Sequence, residues 1–275
     1  MKVSVALCTF NGEKYIEKQL KSIINQTVVP DEIMICDDGS TDNTLFLIDK
    51  FIKANSNTKI NILINENRLK TVKNFEKAIS HCTGDWIFLC DQDDIWYPNK
   101  VELIMKFIMS QKNTLMVFTN ANLIDEYDYS LHSTLWEKWN FDLEKQNLWL
   151  NTKNAFKDLI VNDNFVTGAT SVISSKLKMK SLPINAPAGY YHDAWFALHA
   201  SALNGLRFID ESLIQYRIHD LQQVGITVGG NLDSLAIFED NISYKEFKKR
   251  IYKLYPHMKF LDIMDKIKHV LTKYL

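Results

Sequence analysis

The stretch VSVALCTFNGEKYIEKQLKSIINQ, from Val3 to Gln26, combines two hydrophobic periods on either side of a polar loop. Its first part, VSVALC, is short, apolar and β-branched, which is typical of a strand that is buried on both faces. Its last part places Ile16, Leu20 and Ile23 on one face of a helix. The stretch therefore predicts a buried strand followed by an amphipathic helix that covers the sheet.

The same order of strand and helix recurs through the first hundred residues. Three further apolar runs, each followed by a segment with helical spacing, are EIMIC at 32–36, INILI at 60–64 and DWIFLC at 85–90. This alternation predicts an α/β fold with a Rossmann-like, mostly parallel central sheet and helices on both faces. Later strand patterns lie at 115–119, 170–174, 206–210 and 213–217.

The composition is that of an ordinary soluble globular protein. The chain has 275 residues, of which 46% are hydrophobic and 24% are charged. The formal net charge of -1 argues against a nucleic-acid partner, because proteins that bind nucleic acids are usually basic. The four cysteines form no CxxC pair, so we expect buried free thiols in a reducing cytosol.

The chain start and the lengths of the apolar runs bear on localisation. The start MKVSVALCTF does not match a signal peptide, because its apolar run is short and soon turns polar. No apolar run approaches the roughly 18 residues that a membrane span requires. We therefore expect a cytoplasmic protein.

A polar segment follows each of the first four predicted strands. Ligands of open parallel sheets bind beyond the carboxyl ends of the strands, where these segments should converge. The sequence therefore predicts one binding site built from all four. The segments are TFNGE at 9–13, DDGSTDNT at 37–44, NENRLK at 65–70 and DQDD at 91–94.

The segment DQDD places three carboxylates, Asp91, Asp93 and Asp94, within four residues. Such like charges repel, and a divalent cation bound together with a diphosphate would offset the repulsion. Asp91 and Asp93 leave the same face if the strand continues, and Mg²⁺ or Mn²⁺ typically takes one or two carboxylates plus phosphate oxygens. The alternative is that Asp93 or Asp94 caps the helix near Pro98.

The segment after the second strand carries a second acidic pair, Asp37 and Asp38, followed by Gly39, which permits a tight turn. A carboxylate at this place could accept hydrogen bonds from a base or a ribose. The alternative is an Asx-turn that leads into the next helix. The two roles are compatible.

These motifs resemble the family-2 glycosyltransferases. The resemblance is carried by VSVALCTFNGEKYIEKQLKSIINQT, by PDEIMICDDGSTDNT and by LCDQDDIWYPNK, which resembles the metal-binding Asp-x-Asp segment of bacterial rhamnosyltransferase-like members. It is close over residues 1–125 and looser over HDAWFALHASALNGLRFIDESLIQYRIHDLQQVG at 192–225. One departure is that many relatives carry a glycine where this chain has NENRLKTVKN.

The resemblance implies a GT-A fold and inverting transfer from a UDP-sugar or dTDP-rhamnose to a glycan or lipid-linked glycan, in synthesis of bacterial surface polysaccharide, O-antigen or capsule. It places the nucleotide contacts at Thr9, Phe10, Asn11, Glu13, Asp37, Asp38, Arg68, Asp91 and Gln92. It places Mn²⁺ or Mg²⁺ at Asp93, Asp91 and His219, and acceptor or lid contacts at Asp94, Trp96, Trp195 and Arg217. His219 could equally be an ordinary loop histidine.

The resemblance also implies a general base at Asp193, in YYHDAWFALH. An inverting transfer needs one group to take the proton of the acceptor hydroxyl. A carboxylate at a helix N-terminus stays ionised at neutral pH, which suits this role. The alternative is a helix cap without chemistry. In this interpretation His192 beside it has a structural role.

We expect a GT-A domain over residues 1–228, with a nucleotide-sugar-binding half at 1–100 and an acceptor-binding and catalytic half at 101–228. We expect residues 229–275 to form a basic helical tail. The tail could lie on an anionic membrane surface at the inner face of the plasma membrane, form a homodimer contact, or pack on its own domain. Packing on the domain would turn Ile251, Leu254, Phe260 and Ile263 inward.

Three other classes of function share parts of this pattern. A nucleotide-dependent oxidoreductase would carry G-x-G-x-x-G after the first strand, whereas Gly12 stands alone there. A phosphohydrolase could use Asp91 as nucleophile and Asp93 as acid, but the downstream lysine and acidic pair are missing in the order it needs. A non-catalytic module that binds a nucleotide sugar or a glycan stays open.

Overall fold

The computed structural model describes residues 1–220, residue 222 and residues 242–259. In this part of the chain, nine strands form one sheet flanked by helices. The strands are β1 Val3–Thr9, β2 Glu32–Asp37, β3 Ile60–Ile64, β4 Trp86–Cys90, β5 Ile95–Trp96, β6 Met116–Ile124, β7 Ser130–Thr134, β8 Val172–Ser174 and β9 Leu206–Arg217. The helices are α1 Ile16–Ile24, α2 Thr44–Ala54, α3 Lys70–His81, α4 Lys100–Ser110, α5 Leu135–Trp139, α6 Leu143–Trp149, α7 Thr152–Leu159, α8 Ser175–Ser181, α9 His192–Ala202 and α10 Ile242–Leu254.

The first four strands form the parallel half of the sheet, in the order β3-β2-β1-β4. Thr9 at the end of β1 pairs with Asp37 at the end of β2, and Leu7 pairs with Cys90 at the end of β4. The loops after these strands therefore leave the sheet at one edge, as the sequence predicts.

The second half of the sheet is mixed. β8 runs antiparallel between β4 and β6, whereas β6 and β9 are parallel neighbours. The two short strands expected at 206–210 and 213–217 are one continuous strand, β9. The polar residues between them stay extended because β9 pairs along β6, with register shifts between Thr119 and Asn122.

The helices bury two apolar layers, one on each face of the sheet. Side chains along β1 alternate between them, so that Val5 and Leu7 face α1, α2 and α4, while Ala6 and Cys8 face α3 and α9. The aromatic residues between β6 and β8 belong to the second layer, where Phe118, Trp136, Phe141 and Trp149 pack edge to face. Buried free thiols are confirmed for all four cysteines, Cys8, Cys36, Cys82 and Cys90.

The described part of the tail packs on this second layer. Ile251 of α10 is buried as expected, but Leu254 is 57% exposed, so its predicted inward position is wrong. The hydroxyl of Tyr255 lies 2.6 Å from Nδ1 of His199 on α9. Phe260, Ile263 and the expected boundary at 228/229 lie outside the described residues.

Among the described helices, none is both long enough and apolar enough to cross a bilayer.

Candidate active site

The loop after β4 is tied to the loop after β1 by the side chain of Gln92. Its Oε1 accepts hydrogen bonds from the Thr9 hydroxyl (2.6 Å) and the Phe10 N–H (2.8 Å), and its Nε2 donates to the Phe10 carbonyl. A methyl group on Gly12 would lie 2.3 Å from the same Oε1. Three predicted nucleotide contacts, Thr9, Phe10 and Gln92, are thus brought together with little free space between the loops.

The loop after β1 is also tied to the loop after β2. The side-chain oxygen of Asn11 accepts from the Thr41 N–H at 2.9 Å, and Glu13 accepts from the backbone N–H of Asn43 at 2.9 Å. Asn11 has a left-handed backbone with φ of 49°, which asparagine tolerates better than most residues. Asn11 and Glu13, both predicted nucleotide contacts, therefore stabilise the conformation of the loops at this edge of the sheet.

The acidic pair after β2 has internal hydrogen-bond partners. Asp37 is fully buried and accepts from the N–H groups of Gly39 and Ser40, as an Asx-turn does. Asp38 accepts from the N–H groups of Leu69 and Lys70 at 2.6 and 2.8 Å, at the start of α3. Both carboxylates thus stabilise backbone turns around the predicted nucleotide pocket.

Arg68 lies over this pocket. Its guanidinium carbon is 3.7 Å from the centre of the Phe10 ring, and its Nε is 3.7 Å from Oδ2 of Asp38. The side chain is 47% exposed, so it can still contact a ligand. Lys70, in the segment where many relatives carry glycine, has a left-handed backbone with φ of 64°.

The acidic loop after β4 concentrates negative charge. Burial, followed by the charges of Asp93 and Asp193, raises the pKa of the Asp91 carboxyl to about 8. Burial, followed by Asp93 and Asp91, likewise raises the pKa of Asp94. Oδ2 of Asp93 lies 2.9 Å from Nε2 of His219. Two of the three residues predicted to hold the metal, Asp93 and His219, are thus in contact, and Asp91 lies close enough to Asp93 for their charges to interact.

Neither Asp93 nor Asp94 caps the following helix, because α4 begins after Asn99 without a side-chain cap. Asp94 instead accepts the Arg217 N–H at 3.0 Å, while its Oδ2 has no hydrogen-bond partner. The alternative role as a helix cap is therefore excluded for both residues.

Arg217 is fully buried beneath the acidic loop. Its Nε donates to the Asp93 carbonyl (2.7 Å), and its Nη1 donates to the Asp125 carbonyl (2.8 Å) and pairs with Asp128 (2.6 Å). Its guanidinium also lies 4.5 Å from the centre of the Tyr15 ring. These contacts join the loop to the turn between β6 and β7 and leave the guanidinium no exposed surface toward a diphosphate.

Asp193 lies in the first turn of α9 and is held by two backbone donors. Its Oδ2 accepts from the Gly168 N–H (3.2 Å) and its Oδ1 from the Ala194 N–H (2.7 Å). Burial raises the pKa of Asp193 to about 6, although both donors oppose the rise. Because its charge contributes to the raised pKa of Asp91, Asp193 lies within electrostatic reach of the acidic loop.

Three aromatic side chains near these acids are buried. His192 stacks on Phe75 with ring centroids 3.9 Å apart, and burial lowers the pKa of its imidazole to about 3. Trp195 donates its indole N–H to the Ser181 carbonyl. Trp96 and Trp195 are 2% and 3% exposed, so neither ring is open to an acceptor, contrary to the expected contact role.

The acidic loop suits a hard divalent cation. Among the described residues, no three His, Cys, Asp or Glu side chains make a ready-made ligand set. Mg²⁺ and Mn²⁺ usually take only one or two carboxylates from the protein and complete their shell with phosphate and water oxygens. The raised pKa of Asp91 shows that its ionised form is disfavoured in this loop, and Oδ2 of Asp94 has no hydrogen-bond partner, so a bound cation would stabilise the ionised carboxylates. Asp91, Asp93 and His219 therefore fit the group that the sequence predicts.

Two features of the site are missing from the sequence prediction. The 3₁₀ turn Gly168–Thr170 carries no motif, yet its first N–H holds Asp193. Lys100, only six residues after Asp94, is fully buried behind the acidic loop. Burial lowers the pKa of Lys100 to about 7, and Cys90, Asp94 and Asp91 oppose that change. The sequence signal that could have indicated Lys100 is a lysine at the start of an apolar helix, shortly after an acidic cluster.

The chain matches known proteins along much of its length. The family described as Glycosyl transferase family 2 matches residues 4–168. An uncharacterized glycosyltransferase of Haemophilus influenzae is 25% identical over 264 residues, which are 95% of this chain and 76% of that protein. The dTDP-rhamnosyl transferase RfbG of Shigella flexneri is 33% identical over 183 residues, which are 58% of this chain but only 63% of RfbG.

A solved structure shares the fold. Glucosyl-3-phosphoglycerate synthase from Mycobacterium tuberculosis, in complex with Mn²⁺, UDP and glucosyl-3-phosphoglycerate, superposes with a TM-score of 0.54 at 18% identity. The match covers 80% of this chain and 73% of the synthase. At this identity the likeness supports the fold alone, a mixed sheet flanked by helices.

Proposed function

This chain belongs to glycosyl transferase family 2 and is a glycosyltransferase with a GT-A fold, and we propose that it moves a sugar, with inversion, from a nucleotide-diphosphate donor to a hydroxyl of a glycan acceptor. The observation that carries this proposal is the approach of Asp193, held by the Gly168 and Ala194 N–H groups, to the acidic loop after β4, close enough for its charge to raise the pKa of Asp91. A base and a diphosphate site are the two parts that inverting transfer requires.

The donor is a UDP-sugar or dTDP-rhamnose. UDP is bound by the synthase that shares the fold, and dTDP-rhamnose is the donor class in the name of RfbG. The loops after β1 and β2 and the guanidinium of Arg68 lie together at the edge of the sheet where we propose that the nucleotide binds. Arg68 over Phe10 offers a cation and a flat face, which suit a diphosphate and a base.

The proton of the acceptor hydroxyl goes to the carboxylate of Asp193. With a pKa of about 6, Asp193 is mostly ionised at pH 7 and yet more basic than an exposed carboxylate. The N–H groups of Gly168 and Ala194 each hold one of its oxygens, so the direction of the carboxylate is set before substrate arrives. An oriented base of this kind contributes about 10²- to 10⁴-fold to the rate.

Asp91, Asp93 and His219 would hold Mn²⁺ or Mg²⁺. When bound, the cation supplies positive charge that stabilises the departing nucleotide diphosphate. Gln92 keeps the loop that carries these ligands against the β1 loop, and Arg217 supports the same loop from below through the Asp93 carbonyl. The protein thus presents its carboxylates beside the nucleotide pocket.

The acceptor is a glycan or a lipid-linked glycan of a bacterial surface polysaccharide, O-antigen or capsule. The outer face of α10 supports work at a membrane surface, because Lys245, Lys249 and Lys253 are exposed on it while Tyr244 and Ile251 pack inward. Exposed lysines are attracted to anionic lipid headgroups. Dimerisation through this face would compete with that contact.

A thermal-shift screen tests the proposal. UDP, dTDP, GDP, UDP-glucose and dTDP-rhamnose are added with and without Mn²⁺, to the wild type and to Asp93→Asn. We expect at least one uridine or thymidine nucleotide to raise the melting temperature only with Mn²⁺, and Asp93→Asn to lose that gain. The absence of metal-dependent stabilisation by every nucleotide would overturn the proposal. Stabilisation without any release of nucleotide, in the presence of glycan acceptors, would favour a non-catalytic binding module.

A further inference from the structure

Lys100 is the first residue of α4, and its side chain has no exposed surface. Removing an ammonium group from water costs several kcal/mol, and this cost is not recovered by packing. A methionine would fill a similar volume at less cost. The burial of a lysine at this place therefore indicates that its N–H groups or its charge have a specific role.

The contacts of Lys100 face two parts of the site. Its Nζ donates to the carbonyl of Ala169 at 2.8 Å and lies 3.9 Å from the centre of the Trp96 ring. Trp96 is part of the acidic-loop segment, since it comes two residues after Asp94. Ala169 is the middle residue of the turn Gly168–Thr170. One ammonium thus links the acidic segment to the turn.

The same turn also holds the proposed base, Asp193. The Gly168 N–H donates to Oδ2 of Asp193, one residue before the carbonyl that Lys100 binds. The turn is also packed closely against the start of α9, because a methyl group on Gly168 would lie 2.7 Å from Nε2 of His192. A shift of the turn therefore moves the donor that directs the Asp193 carboxylate.

We propose that Lys100 is a positioning residue, which fixes the Gly168–Thr170 turn and through it the distance of the Asp193 carboxylate from the acidic loop. The inference rests on the proposed function, in which Asp193 is the base. Lys100 touches no substrate, and it acts by linking the Ala169 carbonyl to the segment that carries Trp96. Misplacement of a catalytic group by about 1 Å costs about 100-fold in rate.

The test uses Lys100→Met, which removes the donor and the charge, and Lys100→Gln, which retains a donor. Lys106→Met is the matched control, because Lys106 lies on the same helix but is exposed and pairs with the neighbouring Glu102. For Lys100→Met we expect kcat to fall by about 10- to 100-fold and the donor KM to change by less than about threefold. Lys100→Gln should lose less, and Lys106→Met should resemble the wild type.

Lys100→Met leaves the Ala169 carbonyl without its lysine donor, so we expect its melting temperature to fall, and rates are measured at a temperature at which the variant is still folded. The lost rate would then have a cause other than unfolding. If Lys100→Met does not fold, Lys100→Gln gives the kinetic comparison. A wild-type kcat in a folded variant, or a loss confined to the donor KM, overturns the proposal.

A double-variant cycle with Asp193→Asn separates positioning from a general structural role. If Lys100 acts through Asp193, adding Lys100→Met to Asp193→Asn should cost less than about threefold more, because residues that act as a unit are not additive. Multiplied losses would refute the link. Full activity of Asp193→Asn alone would instead show that the proposed base is wrong, whatever Lys100 does.

Discussion

Asp193→Asn should make the protein more stable at neutral pH while it abolishes most of its activity. Burial raises the pKa of Asp193 from 3.8 to about 6. Because the folded pKa is the higher one, this carboxyl favours the folded state fully below about pH 4, and that contribution is lost as the pH rises through 6. At about 1.4 kcal/mol per pKa unit, ionisation of Asp193 lowers the free energy of unfolding by about 3 kcal/mol at pH 7.

Asparagine removes the charge but keeps only one acceptor oxygen. It can accept from either Gly168 or Ala194, and its NH₂ group then faces the other donor at a cost of about 1 kcal/mol. Since Asp193 is also partly exposed, we expect a net gain of about 1–2 kcal/mol at pH 7, equivalent to a melting temperature higher by roughly 2–8 °C. Below about pH 4 the gain should vanish.

The assay is urea unfolding of metal-free protein at pH 4 and pH 7, followed by initial rates at pH 5 to 8. Asp210→Asn is the matched control, because Asp210 is exposed. The wild-type kcat/KM should fall below about pH 6, and Asp193→Asn should lose about 10²- to 10⁴-fold in turnover. A destabilised Asp193→Asn at pH 7, or an equal effect at pH 4, would refute the assigned burial cost.

Two further variants test the frame of the site. Lys70→Gly should raise the free energy of unfolding by about 1 kcal/mol, because the left-handed backbone of Lys70 strains a non-glycine residue. Urea unfolding midpoints measure this gain. The control Lys50→Gly, inside α2, should instead lower the free energy of unfolding by about 1 kcal/mol. Arg217→Met should cost about 3–5 kcal/mol, because it leaves buried carbonyls of the acidic loop and of the β6–β7 turn unpaired. Thermal unfolding measures this loss against Arg207→Met, where Arg207 is partly exposed, and equal losses in both would contradict the role of Arg217.

The parallel half of the fold was predictable because its signals are local. Each strand from β1 to β4 is a short apolar run bounded by polar residues, and each helix that follows repeats its apolar residues at helical spacing. The sequence predicts two strands in place of β9, because polar residues at 210–212 interrupt the apolar pattern. Pairing with β6, which is distant in sequence, keeps that segment extended.

The candidate site was predictable in position but not in its bonding. The rule that strand ends converge located the acidic loop, and the resemblance assigned Asp193 as the base. The structure adds that the carboxylates of Asp37 and Asp38 accept hydrogen bonds from backbone turns and that the side chain of Arg217 is fully buried. Each of these facts depends on which partner lies within hydrogen-bond distance.

The sequence by itself determined which acids, strands and helices this protein has and at which edge of the sheet its polar loops meet, because hydrophobic period and residue order are written along the chain. Tertiary structure alone decided which charges are buried and what holds them. Lys100 reaches Ala169 across 69 residues and Asp193 reaches Gly168 across 25. Burial and hydrogen bonding between such distant residues set their pKa values, and no local pattern encodes those distances.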